Sequence, residues 1–307
     1  MIYTNATIKP KWPEGKKFAV CLTHDVDKVK KTYQYFTMFV RFLKNMEIKR
    51  AFNEIFCFLK FYFSKNFKKN PYWDFEIIME VERKFDVRST FFFLNESGKA
   101  SIFKPKTWKL YLGRYEIRNP EVVNIIKKLD SEGWEIGLHG SYDSYKDKSL
   151  LKSEKKELES ILGKRVHGVR QHYANLQIPD TWRLHEELGF EYDSTFVASN
   201  YDGLRDDIYF PFRPLNSLFL EIPLAIMDHT LFSGDKSIEE ILEECKKVIE
   251  DVEEKNGVLT ILWHNRLFNE REFPGRKEVY ERIIKLCKEK NAWITTGHEI
   301  AKWCNSR

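Results

Sequence analysis

The chain lacks any run approaching about 18 uninterrupted apolar residues, so no segment reads as a membrane-crossing helix. It lacks a Gly-x-Gly-x-x-Gly after its first predicted strand, and it has no glycine-rich phosphate loop, which removes the strongest sign of a dinucleotide or nucleotide site. It lacks Cys-x-x-Cys spacing. Its five cysteines (Cys21, Cys57, Cys245, Cys287, Cys304) are an odd number and read as reduced, buried thiols, not a disulfide framework or a thiolate metal site. It lacks a strong charge of either sign: 51 basic against 46 acidic residues give +5, too mild to point to nucleic acid as a partner. The first ten residues lack a basic stretch followed by an apolar one, so a secretory leader is not indicated and the expected location is cytoplasmic.

What is present is a globular composition, 42% hydrophobic and 32% charged over 307 residues, long enough for one large α/β domain spanning 1–307. Apolar runs of strand length alternate with helical periodicity. Strands are expected at 17–27, 88–95, 134–139, 165–170, 191–196, 218–227, 257–264 and 292–296. Helices are expected at 74–85, 120–131, 150–162, 179–188, 237–254 and 276–290. Asn119-Pro120 and Ser237 are helix-start signals, and Pro223 marks the 218–227 strand as an edge or a bulge. Regular βα alternation implies a mainly parallel sheet, and seven or eight units without a break favour a barrel over an open sheet.

One segment departs from this alternation. Residues 28–70 carry aromatics (Phe36, Phe39, Phe42, Phe52, Phe56, Phe58, Phe61, Phe63) with lysines and arginines threaded between them. The spacing predicts two helices with unusually wide apolar faces, inserted after the first strand and packed on the domain. Such a basic, aromatic surface (33–68) also suits peripheral contact with an anionic membrane.

The chemistry concentrates where strands end. In Thr23-His-Asp-Val-Asp27 a strand places the side chains of Asp25 and Asp27 on one face, where two carboxylates repel unless a cation or a shared proton relieves them. In a barrel the active site lies at the C-terminal ends of the strands. There the sequence offers Asp25 and Asp27, Asn95, His139, Arg170 and His172, Asp193, Asp228 and His229, and His264. One shared cleft is the expectation.

Thr23-His-Asp-Val-Asp27, Ser89-Thr-Phe-Phe-Phe93, Gly137-Leu-His-Gly-Ser141, Arg170-Gln-His-Tyr173 and Leu262-Trp-His264 follow one another in an order that resembles the polysaccharide deacetylase (NodB-homology) family of carbohydrate esterases. The resemblance spans about residues 17–300, with 28–70 as the insertion. It implies an irregular (β/α)7–8 barrel and hydrolysis of an N-acetyl group, or an O-acetyl group, on a sugar substrate. It assigns Asp25 as general base, Arg170 as the group orienting it, and His264 as general acid. Its metal-binding roles fall on Asp27, His139 and Asp143, with a divalent cation, zinc in first place. Asp143 stands where the family has a histidine and Val26 where it has an acid. His172 stands where the family has proline and is a reserve ligand or substrate contact. Tyr173 and Trp263 are candidates for a wall against the sugar, while His24, a second reserve ligand, and Asp193 are candidates for a supporting shell. His167, His185 and His298 read as ordinary surface or helix-end residues. Two other readings remain: a metal-independent amide hydrolase of the same fold, and a carbohydrate-binding or scaffold relative without turnover. The expected setting is a sugar intermediate in the cytoplasm or at a membrane surface.

Overall fold

The run from Ala19 to Val26 is buried at every position and forms β1, the strand around which the sheet is built. The computed structural model describes residues 7–64, 66–101, 103, 106–197, 199–200, 203–204 and 208–306. After β1 come α1 (Gln34–Lys44), α2 (Ile48–Ser64), α3 (Phe75–Lys84), β2 (Thr90–Leu94) and α4 (Lys106–Tyr111). Next are α5 (Pro120–Ser131), β3 (Glu135–Gly140), α6 (Lys148–Leu162), β4 (Gly168–Gln171), α7 (Asp180–Glu187) and β5 (Tyr192–Asp193). A small hairpin follows, β6 (Ser199–Asn200) and β7 (Gly203–Leu204), and then β8 (Leu220–Glu221), β9 (Ile226–Met227) and α8 (Asp228–Leu231). The chain ends with α9 (Ile238–Lys255), β10 (Val258–Leu262), α10 (Arg276–Glu289), β11 (Trp293–Thr295) and α11 (Gly297–Asn305).

Among the described residues nine strands form one parallel sheet in the order β8-β5-β4-β3-β2-β1-β10-β9, with β11 also paired to β1. The sheet curls into a half-barrel with helices around it, as the alternation predicts. The expected 218–227 strand is divided at Pro223. Its first half pairs with β5 and its second half with β10, so one bent segment bridges the two ends of the curled sheet. A proline cannot donate to a ladder, so it falls where the segment changes partners. The helices α4 and α11 and the hairpin are elements the sequence pattern did not signal.

Helix boundaries follow from capping. The Asn119 side chain accepts from the Glu121 N–H with Pro120 in the first turn, and Ser237 and Glu240 form a capping box at α9. The periodicity of β1 sorts its neighbours: Phe18, Val20, Leu22 and Val26 join the large core under the helices, while Ala19 and Cys21 face the barrel interior with Phe92, Tyr192 and residues Ile300, Ala301 and Cys304 of α11. The lower interior is therefore an apolar plug. Burial pushes the thiols of Cys21, Cys245 and Cys304 up to about 12, which leaves them protonated and inert.

The 28–70 segment forms the two expected helices, α1 and α2. They are tied to the body by Lys31, a wholly buried lysine whose Nζ donates to Glu54 and Glu272, both at 2.6 Å. Asn70 closes the base of the segment by accepting from the Lys31 N–H at 2.7 Å and donating to its carbonyl at 3.2 Å.

Candidate active site

The cleft of about 410 Å³ at the C-terminal ends of the strands is lined by residues from six segments of the sheet, among them Asp25, Asp27, His139, Arg170, His172, Thr195, Met227 and His264. The alternation along β1 puts Asp25 and Asp27 into it. Arg170, buried on β4, donates from Nη1 to Asp25 Oδ1 at 3.0 Å and to Thr23 Oγ1 at 2.7 Å. Its Nε and Nη2 are held by the Ser194 carbonyl and hydroxyl at 2.7 and 2.8 Å. With its donors fixed on two sides, the guanidinium locks the Asp25 carboxylate in one orientation. The Phe92 ring supports it from below, 4.6 Å from Cζ. Gly137 makes room for that ring, since a Cβ there would fall 2.5 Å from it.

Asp27 lies one position beyond β1, where three acceptors meet. His139 Nδ1 donates to the Arg170 carbonyl at 2.9 Å, so its Nε2 carries the lone pair and points at Asp27 Oδ1, 3.4 Å away. His172 Nε2 accepts from Arg114 Nη2 at 3.1 Å and lies 3.6 Å from the same oxygen. Asp27 Oδ1 itself is buried without a hydrogen-bond partner. Two ligands about 2.0–2.1 Å from a tetrahedral ion stand about 3.3 Å apart, close to these spacings. Converging acceptors with no proton between them fit a divalent cation, and one oxygen with two imidazole nitrogens is an ordinary ligand set for it.

The charge states agree. Burial pushes the Asp27 carboxyl up, but the charged His264 and Arg266 beside it favour the carboxylate, and the group sits well below the usual carboxylate range. Burial pushes His172 down to about 2, aided by His139, Arg114 and His264 and opposed by Asp27. A carboxylate and a neutral imidazole are the states in which these groups bind metal. With His172 neutral, the charge on Asp27 is balanced by His264, whose Nε2 is 3.6 Å from Oδ2, and by Arg266 and Arg114 at 3.5 and 3.9 Å.

His264 follows β10 by two residues and is held by Asp228, which follows β9. The imidazole Nδ1 donates to the Asp228 carboxylate at 2.9–3.0 Å, and the His264 backbone N–H donates to the same group. Burial works against the imidazolium, yet Asp228 outweighs it and the His264 pKa is raised above the ordinary value. Nε2 faces the cleft, free to carry a proton to a leaving group.

Not every expected residue comes to the cleft. Asp143 is half exposed on the loop after β3, where it pairs with Lys146 at 3.4 Å, and it is not part of the converging group. His172 stands there instead. Trp263 is fully buried, packed against Phe232 and Tyr280, and does not line the cleft. Residues alternate along the strand, so a neighbour of a cleft residue faces the core. The same rule turns His24 away from Asp25: its Nδ1 donates to the Trp263 carbonyl at 2.7 Å and its Nε2 faces Glu82 at 2.9 Å. Asp193 is buried behind the cleft, where it accepts from the Thr195 hydroxyl. His185, expected at the surface, is fully buried between Gln171 and Asp193. Tyr173 lines the mouth with φ +60 and Ala174 follows with φ +53, two left-handed non-glycine residues in succession. Such strain gathers at functional sites. Arg114, Arg266 and the Asp228 support of His264 escaped the sequence reading. Only Asp228 carried a signal, its place just past a strand end.

The sequence matches no family model and no curated protein. Solved structures do match. A protein from Mycobacterium smegmatis assigned as a polysaccharide deacetylase superposes with a TM-score of 0.65 at 18% identity, covering 99% of this chain and 95% of that one. The fold is that of the polysaccharide deacetylases. A Pseudomonas aeruginosa PAO1 protein, also assigned as a polysaccharide deacetylase, gives 0.61 at 19% identity over 97% and 94% of the two chains. Puue allantoinase gives 0.62 at 17% identity over 97% and 93%. The matches thus extend over nearly the whole chain.

Proposed function

We propose that the protein is a metal-assisted hydrolase that removes the acetyl group from an N-acetylated sugar. One observation carries this reading: a carboxylate fixed by arginine (Asp25–Arg170) and an imidazole fixed by carboxylate (His264–Asp228) share one cleft with the converging acceptors Asp27, His139 and His172. A cation bound by those three would polarise the amide carbonyl and make a bound water more acidic. Asp25 takes the proton of the attacking water, with Arg170 holding the carboxylate in line. A backbone N–H of the Tyr173–Ala174 turn supports the oxyanion. His264 delivers the proton from Nε2 to the departing nitrogen, while Asp228 keeps Nδ1 protonated and the ring oriented. Acetate release from N-acetylated oligosaccharides, measured before and after chelation and metal re-addition, tests the reading. Asp25→Asn and His264→Ala should each abolish release in folded protein. Turnover near wild type in either variant sinks the assignment.

A metal-independent amide hydrolysis is the second reading. It is favoured by the two guanidiniums within 4 Å of Asp27, which supply positive charge where a cation would. Hydrolysis that survives chelation unchanged decides for it.

A further inference from the structure

The α1–α2 pair is inverted relative to an ordinary surface helix. On α2 the residues Ile48, Phe52, Ile55, Phe56, Leu59 and Phe63 lie within an arc of about 80–120° at 100° per residue, and all six are exposed, Phe63 by 78%. The face turned to the body carries Ala51 and Glu54, the latter bonded to Lys31. Of the 17 large apolar residues most exposed among the described residues, ten lie on these two helices and an eleventh, Met46, in the turn between them. Apolar patches of this kind mark an interaction surface.

Charge identifies the occupant. Residues 28–70 contain eleven lysines and arginines against two glutamates, a net +9, in a chain whose total is +5; the remainder is therefore −4. A second copy would bring the same positive charge to the interface and be repelled. An anionic bilayer attracts it, and an aromatic stripe bordered by Lys49 and Lys60 suits the headgroup boundary. No described helix is long and apolar enough to cross a membrane, so the pair would lie in the interface plane.

The cleft is close by. An apolar groove of about 550 Å³, walled by Tyr33, Phe36, Phe39 and Phe58, runs between the helices. Its Tyr33 hydroxyl accepts from Lys28 at 2.9 Å, and Lys28 directly follows Asp27. We propose that the α1–α2 face docks on an anionic bilayer and that the cleft acts on a sugar amide carried on a lipid there, with the groove taking part of the lipid chain. The substrate half of this rests on the amide-hydrolase reading above; the docking half does not.

The test is co-sedimentation of the full chain with vesicles of phosphatidylcholine alone or with phosphatidylglycerol at 30 mol% (roughly the anionic regime of cytoplasmic leaflets). The triple variant Phe52→Ser/Phe56→Ser/Phe63→Ser changes only exposed side chains. Binding to the anionic vesicles that falls at least tenfold in the variant and weakens with added salt is the expected result. Equal binding by wild type and variant, or none to anionic vesicles at low salt, overturns the docking. A salt-resistant dimer of the wild type that the variant abolishes overturns it in favour of self-association. In the same preparations, deacetylation of a lipid-linked acetamido sugar in vesicles should drop at least tenfold in the variant while that of its soluble, lipid-free form is unchanged. Equal loss on both forms overturns the substrate assignment. No turnover by wild type on either form, with vesicle binding intact, removes the amide-hydrolase reading and leaves the docking standing.

Discussion

Replacing Asp228 with asparagine keeps the shape beside His264 and removes the charge. The imidazole Nδ1–H and the backbone N–H of His264 both donate to Asp228 in the wild type, on a side chain 1% exposed against an imidazole 14% exposed. A hydrogen bond between charged groups at such a site contributes about 1.5–3 kcal/mol. Its loss removes what holds the His264 pKa up and moves it down, since burial then works against the imidazolium unopposed by Asp228. The sign follows from the directions in the native protein: His264 is raised and Asp228 lowered. The imidazolium contributes stability that is fully present below its unfolded pKa and is lost as pH rises through the folded one. The carboxylate contributes stability that is present above its unfolded pKa and is lost as pH falls through the folded one. The pair therefore stabilises most between about pH 4 and 6.5, the ordinary values of the two groups. Histidine ¹⁵N NMR titration in chelator-treated protein reads the shift directly, and urea unfolding at several pH values reads the stability. The activity profile, with His264 as the acid, should lose its alkaline side at correspondingly lower pH. A His264 titration unchanged by Asp228→Asn would refute the account.

Three further outcomes follow from the same geometry. His172→Ala should weaken divalent-cation binding, measured by titration calorimetry, by at least about tenfold as a nitrogen ligand is lost, whereas Asp143→Ala should leave it within about twofold because an exposed ion pair contributes little. Arg114→Gln should tighten cation binding by about tenfold or more: the guanidinium claims the same His172 lone pair through a charge-assisted bond of about 1.5–3 kcal/mol. His24→Ala should destabilise the fold by about 1–3 kcal/mol, seen as a lower urea midpoint, because it removes the buried imidazole that bonds the Trp263 carbonyl and Glu82.

Much of the barrel was legible because its strands are short apolar runs separated by helices with clear start signals. Pro120 begins α5 and Ser237 caps α9 where the sequence places them. The errors fall where local signals are weak or tertiary contacts decide. Two-residue pairings such as β5 and β8 are set by neighbouring strands and not by propensity. His185 shows the limit from the other side. Its place on α7 looks like a helix end in the linear pattern, but the face it occupies is packed against Gln171 and Asp193, which only the three-dimensional arrangement brings there.

At the site, what a single strand determines was readable, and what two strands determine together was not. Alternation along β1 settles that Asp25 and Asp27 enter the cleft and His24 does not. The third acceptor depends on register. The expectation followed the loop after His139 and reached Asp143, four residues on, which the structure leaves in solvent. His139 pairs instead with Arg170 across β3 and β4. A residue two positions beyond Arg170 therefore returns to the same face, next to His139, and that residue is His172, its ring 5.1 Å from the His139 ring. The substitution of a neighbouring strand for a neighbouring loop also explains Arg114. A histidine placed by β4 comes within reach of the segment between α4 and α5, and its Nε2 meets a guanidinium there. Cation affinity at this centre is then a contest between Arg114 and the ion for one lone pair, a tuning that no spacing within a single motif encodes.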